Sequence, residues 1–235
     1  RFNHSRALRT QILLSKLVSL EDMLENIATV GGLDVSYFKA GEVEYGVGVL
    51  VVLGYPELKL QKCFYAIRRV CVPYIPGLLA FREMEVLAPV LTYGLGEVNV
   101  DLLVVDGHGI AHPRGFGIAS HIGLAFRKPS IGVAKRLLAG REEYRGGLGY
   151  IVYENRVVGA ILETKWGKLY VSPGYGVSVE TSLKLVKTMV KPGAKLPEPT
   201  RLADEVSRRV KPKNVLGKDL EVRECTKLII TTFTS

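Results

Sequence analysis

The spacing of apolar residues along this chain switches between a period near 3.6 and a period of 2, and the switches predict its elements. Leu8, Ile12, Leu13, Leu17 and Leu20 recur at helical spacing, so an amphipathic helix is expected near the start. Residues 29–38 and then 42–53, the latter rich in β-branched side chains, read as two strands joined by a turn at Gly41. A third strand is expected over 58–72, ended by Pro73 and Pro76. Residues 78–91 return to helical spacing, with Pro89 near the end of the helix. The wholly apolar run 100–105 is the mark of a strand buried on both faces.

Beyond it come a loop rich in glycine and histidine, a helix over 117–126 and another buried strand over 130–133. Residues 149–152 and 157–163 predict a hairpin around Glu154 and Asn155, followed by a short strand at 169–172. Ser178 is a fitting cap for a helix over 178–189, and 201–210 predicts a last amphipathic helix. Three meandering strands, a helix and then a buried strand is the order of the ribonuclease H-like fold. The expected class is α/β, with a mixed central sheet flanked by helices in a single domain. The boundaries are an N-terminal helix (1–28) packed on the core, the main domain (29–210) and a C-terminal extension (211–235) with no functional reading.

Composition narrows the picture. At 235 residues the chain is long enough for one full core, and its apolar runs are too short to span a bilayer. A formal charge of +9 suits a polyanionic partner, although a basic protein without a nucleic-acid role has the same charge. Residues 1–20 are basic and free of acids, superficially like a transit peptide, but their helical period favours a structural helix. Cys63, Cys71 and Cys225 form no CxxC pattern. Cys63 and Cys71 share one extended segment, about 26 Å apart and beyond disulfide reach, so a reducing, cytoplasmic setting is expected. Two Gln and five Asn are few, a scarcity of thermolabile amides that points weakly to a thermophilic source.

Three acids stand where a core would exclude them. Asp34 interrupts the first strand, Asp106 ends the buried strand, and Glu83 lies on the first helix of the main domain. Clustered buried carboxylates are costly unless a cation neutralises them. Mg²⁺ prefers one or two carboxylates with waters and phosphates, and such ions assist phosphodiester hydrolysis. Taken singly, each acid could instead cap a turn or pair with a base, and Glu85 is an alternative to Glu83.

The segments Gly–Leu–Asp34–Val–Ser–Tyr, Pro–Tyr74–Ile–Pro–Gly–Leu–Leu–Ala–Phe–Arg–Glu83 and Val–Asp106–Gly–His–Gly–Ile–Ala–His112–Pro–Arg–Gly–Phe–Gly–Ile–Ala–Ser–His121 resemble the endonuclease V family. So do Ser130–Ile–Gly–Val–Ala–Lys135 and Pro199–Thr–Arg201–Leu–Ala–Asp204, and together they run in family order over residues 30–204. The resemblance implies that Asp34 and Asp106 ligate Mg²⁺, with Mn²⁺ able to substitute, that Glu83 completes the acidic site and that Lys135 approaches the scissile phosphate. It implies a DNA repair endonuclease that cuts on the 3′ side of deaminated purines such as hypoxanthine, one nucleotide beyond the lesion. Its partner would be DNA containing deoxyinosine or RNA containing inosine, with no membrane involved and the chain acting as a monomer.

Hypoxanthine presents a carbonyl acceptor and an N1–H donor, which backbone groups can read where the chain approaches closely. Gly77, Gly107, Gly109, Gly117 and Gly132 allow such approach, with Leu79 and Ile118 as apolar walls of a pocket for a flipped base. Tyr74, held between Pro73 and Pro76, resembles the family's wedge, filling the gap left by base extrusion. His112 is a candidate for the substrate backbone or a metal-bound water, His121 for a supporting role, and His108 is expected to point outward. One departure stands out: Tyr175 occupies a stretch where many relatives carry a histidine, a fourth polar member of the metal site. Two alternatives remain at this point, a ribonuclease H-like nuclease of other specificity and a nucleic-acid-binding protein without catalysis.

Overall fold

The computed structural model describes residues 2–211 and 220–233. Helix α1 (His4–Ser15) leads into an antiparallel meander of β1 (Thr29–Ala40), β2 (Val43–Gly54) and β3 (Lys59–Arg69). Helix α2 (Leu79–Glu97) crosses back to β4 (Leu102–Asp106), which pairs parallel with β1, and α3 (Ile118–Phe126) leads to β5 (Ser130–Ala134), parallel with β4. Strands β6 (Arg141–Arg145), β7 (Leu148–Tyr153), β8 (Arg156–Thr164) and β9 (Gly167–Tyr175) form a second meander, joined to β5 through β9. Then come α4 (Val179–Met189), α5 (Glu198–Arg209), β10 (Leu220–Glu224) and α6 (Thr226–Phe233). Across the sheet the order is β10-β3-β2-β1-β4-β5-β9-β8-β7-β6. The mixed sheet with helices on both faces is the expected architecture.

Alternation along β2 explains its unbroken apolar run. Val47, Val49, Val51 and Leu53 face one layer with Val186 of α4 and Leu202, Ala203 and Val206 of α5. Leu50 and Val52 face the other with Leu87 and Leu91 of α2 and Ile122 of α3. A strand covered on both faces has no polar side to keep. Among the described residues no helix is long and apolar enough to cross a membrane.

The structure departs from or adds to the sequence reading at five points. Helix α1 forms, capped by the Asn3 side chain on the Arg6 amide at 2.9 Å, but it ends at Ser15, so Leu17 and Leu20 fall outside it, and within it Leu8 is half-buried while Ile12 and Leu13 are exposed. Leu13 is 63% exposed, while the buried residues are Ala7 and Gln11. The helix docks through the Gln11 amide, which donates to the carbonyls of Gly77 (3.1 Å) and Phe116 (3.3 Å). Helix α2 runs through Pro89 to Glu97, because Val90, Leu91 and Gly94 beyond the proline remain buried. Strand β6 has the sequence Arg–Glu–Glu–Tyr–Arg, with no apolar alternation to betray it; its charges pair with one another and, through Glu142, with Lys168 and Tyr170. In the C-terminal extension, β10 adds to the sheet edge at β3 and α6 follows; residues 212–219 lie outside the described residues. Cys63 is bonded to Cys225, so the expectation of unpaired thiols fails there; Cys71 is free and exposed. Distance in sequence hid that partner, since 162 residues separate the two cysteines.

Candidate functional site

Strand register brings the two aspartates together. In the parallel pair, Val30 sits opposite Leu102 and Leu33 opposite Val105, so Asp34 and Asp106 come one step beyond the last paired residues. Val30, Leu102 and Val104 belong to the α5 face of the sheet, and side-chain parity puts both aspartates on that face as well. Helix α5 meets them there: Ser207 Oγ donates to Asp34 Oδ2 at 2.7 Å. Lys135, immediately after β5, holds Asp106 Oδ2 at 3.3 Å.

Glu83 arrives from the opposite face. It falls on the buried stripe of α2 with Ala80, Leu87, Val90 and Gly94, and it is only 9% exposed. Glu85 turns away: its Oε2 accepts from the amides of Cys71 and Val72, both at 3.0 Å, steadying the chain that leads to Tyr74. The choice between the two glutamates therefore falls on Glu83. Its neighbour Arg82, buried, pairs with Glu44 at 2.8 Å, donates to the Val72 carbonyl at 2.7 Å and lies over the Tyr37 ring.

The electrostatics are those of buried carboxylates, with like-charge repulsion as the smaller contribution. Burial, with Asp34 and Asp106 nearby, raises the Glu83 pKa to about 8. Burial raises Asp34 to about 6 against the Ser207 hydrogen bond, with Asp106 and Asp204 adding repulsion. Asp106 also moves upward through burial, partly offset by Lys135, and Asp204 again adds repulsion. Asp204 is thus a fourth acid of the cluster, on α5, where Arg208 holds its Oδ1 at 2.7 Å. Its motif was legible in the sequence, but nothing local distinguished it from the other charges of that helix.

A cavity of about 510 Å³ opens beside the acids. Glu83, Asp106 and Lys135 line it, and so do Tyr74, Gly77, Leu79, Gly107, Gly117 and Ile118. Tyr74 is 68% exposed. Helices α2 and α3 both begin at this wall with no side-chain cap, at Leu78 and Gly117. Gly109 and Gly132, expected in the pocket, are not on its wall. A Cβ on Gly109 would stand 2.0 Å from the Pro173 carbonyl oxygen, and one on Gly132 2.6 Å from that of Gly107. These two glycines let the loop press against β9 and β5 and act behind the pocket.

The Gly77 carbonyl is already engaged. Besides Gln11 it meets His112 Nε2 at 3.0 Å and Arg114 Nη2 at 2.5 Å, and Arg114 Nε also reaches Gln11 Oε1 at 2.5 Å. Gly77 has a φ of +75°, the left-handed region that glycine adopts without strain. Sequence reasoning gave no role to Gln11 or Arg114, because their partners are backbone atoms far along the chain. It also missed Leu137 and Leu138, which form part of the cavity wall after Lys135.

His112 lines the cavity, and burial with the nearby Arg114 charge lowers its pKa to about 4. His121 is buried between Phe81 and Phe116, at ring distances of 4.9 and 4.3 Å, and its pKa is lowered by burial to about 3. It is a packed neutral ring behind the site. His108 does not point outward: it is half-buried in the cavity wall, with Nε2 2.9 Å from the Arg136 carbonyl. Tyr175 is not a member of the acidic site. It pairs with Ser130 at the start of β5, whereas Tyr170 pairs with Ala134 beside Lys135, because β9 runs antiparallel to β5.

The endonuclease V family model matches residues 12–205. An endonuclease V of Aeropyrum pernix is 45% identical over 211 residues, covering 89% of this chain and 81% of the relative. The crystal structure of endonuclease V from Bacillus subtilis superposes with a TM-score of 0.79 at 25% identity, over 88% of this chain and 92% of that one. Endonuclease V of Ciona intestinalis, solved with a 24mer DNA containing an inosine followed by a ribo-adenosine, gives 0.75 at 28% identity over 87% and 96%. Sequence, fold and the convergence of Asp34, Glu83 and Asp106 agree, and this chain belongs to the endonuclease V family of nucleases.

Proposed function

We propose that this chain hydrolyses a phosphodiester on the 3′ side of hypoxanthine in DNA, one nucleotide beyond the base, with Mg²⁺ held by Asp34, Glu83 and Asp106. The observation that carries the reading is a shared wall: Glu83 and Asp106 belong to the same cavity as Tyr74, Leu79 and Ile118. Its volume of about 510 Å³ falls within the usual range for small-ligand sites, and a flipped purine suits it. The relative solved with inosine-containing DNA supports the choice of base.

The donor set suits a hard cation, because its atoms are carboxylate oxygens. Burial first, and then mutual repulsion, raises the pKa values of Glu83 and Asp34, and a bound cation would offset both. Among the described residues no three side chains stand as a closed ligand set, so binding would draw the carboxylates inward. Mn²⁺ would use the same oxygens. When bound, the ion lowers the pKa of the attacking water and offsets charge on the leaving oxygen.

The remaining steps belong to the chain itself. Ser207 fixes one oxygen of Asp34 and leaves the other for the cation. Lys135, 53% exposed, is free to exchange Asp106 for the scissile phosphate as a point charge. Tyr74 stands at the mouth of the cavity and stacks on the bases left behind, a contact worth about 1–3 kcal/mol. The starts of α2 and α3 carry no side-chain cap, and the first-turn amides there not already given to the Gly109, His108 and Leu78 carbonyls are the donors for the base carbonyl. With the Gly77 carbonyl occupied by three donors, N1–H must be read by another acceptor.

The test is a nicking assay with Mg²⁺ on matched DNA and RNA strands carrying inosine or adenosine at one position. Cleavage confined to inosine and lost with chelator is the expected outcome. Equal cutting of both bases would make the chain a general nuclease, and tight binding without cutting would make it a binder.

A further inference from the structure

The only tryptophan of the chain sits in the turn between β8 and β9, 55% exposed, where no core requires it. The turn holds it firmly: Trp166 Nε1 donates to the Gly193 carbonyl at 2.7 Å, and its amide donates to Thr164 Oγ1 at 3.1 Å. Two ammonium groups lie over the ring, Lys195 Nζ at 4.8 Å and Lys165 Nζ at 5.1 Å from its centroid. Neither lysine has a carboxylate partner among the described residues, unlike nearby Lys168 and Lys191, which pair with Glu142 and Glu198. An aromatic face that gathers two unpaired cations concentrates positive charge and limits the freedom of two long side chains.

The location of this cluster follows from register. Tyr170 pairs with Ala134, the residue before Lys135, and β9 runs antiparallel to β5. Residues preceding Tyr170 therefore continue past the end of β5, at the end of the sheet beyond the C-termini of β4 and β5, where Asp106 and Lys135 stand. Three strand steps put Gly167 roughly 10 Å beyond the level of Ala134, and Trp166 lies in the turn just past it. That is about three steps of a nucleic-acid strand at 3.4 Å each, with the turn just beyond.

The geometry points to a second contact for the phosphodiester backbone, made by Lys165 and Lys195 over Trp166, about three to four nucleotides from the scissile bond. With both cations over its ring, Trp166 orders the lysines and does not serve as a platform for a base. The contact aligns the strand across the active site irrespective of the damaged base. This inference rests on the proposed function, since it takes the same nucleic acid as ligand.

The experiment measures binding of the full chain, in chelator, to two 24-base-pair DNA duplexes that differ only by inosine or adenine at one position. The slope of log association constant against log salt reports the phosphates neutralised. Lys165→Gln with Lys195→Gln should make that slope shallower by about 1.8 on both duplexes, at about 0.9 for each phosphate no longer neutralised. Lys59→Gln with Lys128→Gln removes the same charge at the opposite end of the strands, where β3 and β5 begin, and should leave the slope unchanged. Trp166→Ala should weaken binding roughly two- to five-fold, and Trp166→Phe, which keeps a ring, should weaken it less. An unchanged slope in the Lys165/Lys195 variant, or an equal change in the control pair, would overturn the proposed contact alone. A parent chain that bound neither duplex would overturn the proposed function with it.

Discussion

Glu83 shows how one residue connects packing with chemistry. It occupies a place on the buried stripe of α2 that an apolar side chain would fill at no cost, and it faces Asp34 and Asp106. Glu83→Gln should therefore abolish cleavage yet raise the melting temperature in chelator at pH 8–9, by about 2–4 °C for each kcal/mol of charge burial and repulsion removed. A variant both inactive and less stable than its parent would count against the acidic cluster. Asp34→Ala or Asp106→Ala should lose nicking and retain binding; cutting retained by either would remove that residue from the metal site. Tyr74, 68% exposed, makes the opposite case. Tyr74→Ala should leave thermal stability within about 0.5 kcal/mol of the parent and erode the preference for inosine over adenosine. An unchanged preference would show that the ring is no wedge.

Among the elements, α1 is the instructive failure of pattern reading. Its leucines predict the buried face, but contact is made by Gln11, fully buried, on two backbone carbonyls and Arg114. Gln11→Ala should cost about 1–3 kcal/mol, because it strands buried polar partners, and should raise KM for the inosine strand more than it lowers kcat. Leu13→Ala, at a position 63% exposed, should stay within about 0.5 kcal/mol. Thermal melts of both variants decide the matter, and the reverse ranking would restore the leucine face. The strands were easier to read. Alternation in β1 and β2 and the apolar run of β4 follow directly from burial, whereas β6 hides because its charged side chains pair across an exposed edge.

For the whole molecule, acid stability and the disulfide matter most. His112 and His121 are held neutral by burial, with pKa values lowered to about 4 and about 3 from an unfolded value of 6.5. The unfolded chain then binds more protons, so their contribution is complete above pH 6.5 and is lost as pH falls toward 3. The loss is at most about 1.4 kcal/mol per pH unit for each ring. Asp34 and Glu83, shifted upward, act in the opposite sense, so the effect is read as a difference between variant and parent. His121→Phe should flatten the acid limb of the melting profile; an identical limb would mean that His121 is protonated without penalty. The Cys63–Cys225 bond ties the C-terminal β10–α6 unit to β3 across 162 residues. Reductant, or Cys63→Ser, should lower stability by about 2–4 kcal/mol, with Cys71→Ser neutral by the same melts. Equal melting with and without reductant would show that the C-terminal unit holds by pairing alone.

The amino-acid sequence by itself determined the order of the main strands and helices, because burial imposes a period on each. It also determined the chemistry available, since Asp34, Glu83, Asp106 and Lys135 stand in ordered motifs where a core has no use for charge. Only the tertiary structure decided which residues share a space. Parallel register of β1 and β4 put Asp34 beside Asp106, the pitch of α2 chose Glu83 over Glu85, and the antiparallel course of β9 removed Tyr175 from the site. Helix α5 brought in Asp204 and Ser207, and α1 brought Gln11 to Gly77. Each of these depends on contacts between segments distant along the chain, where local pattern carries no signal.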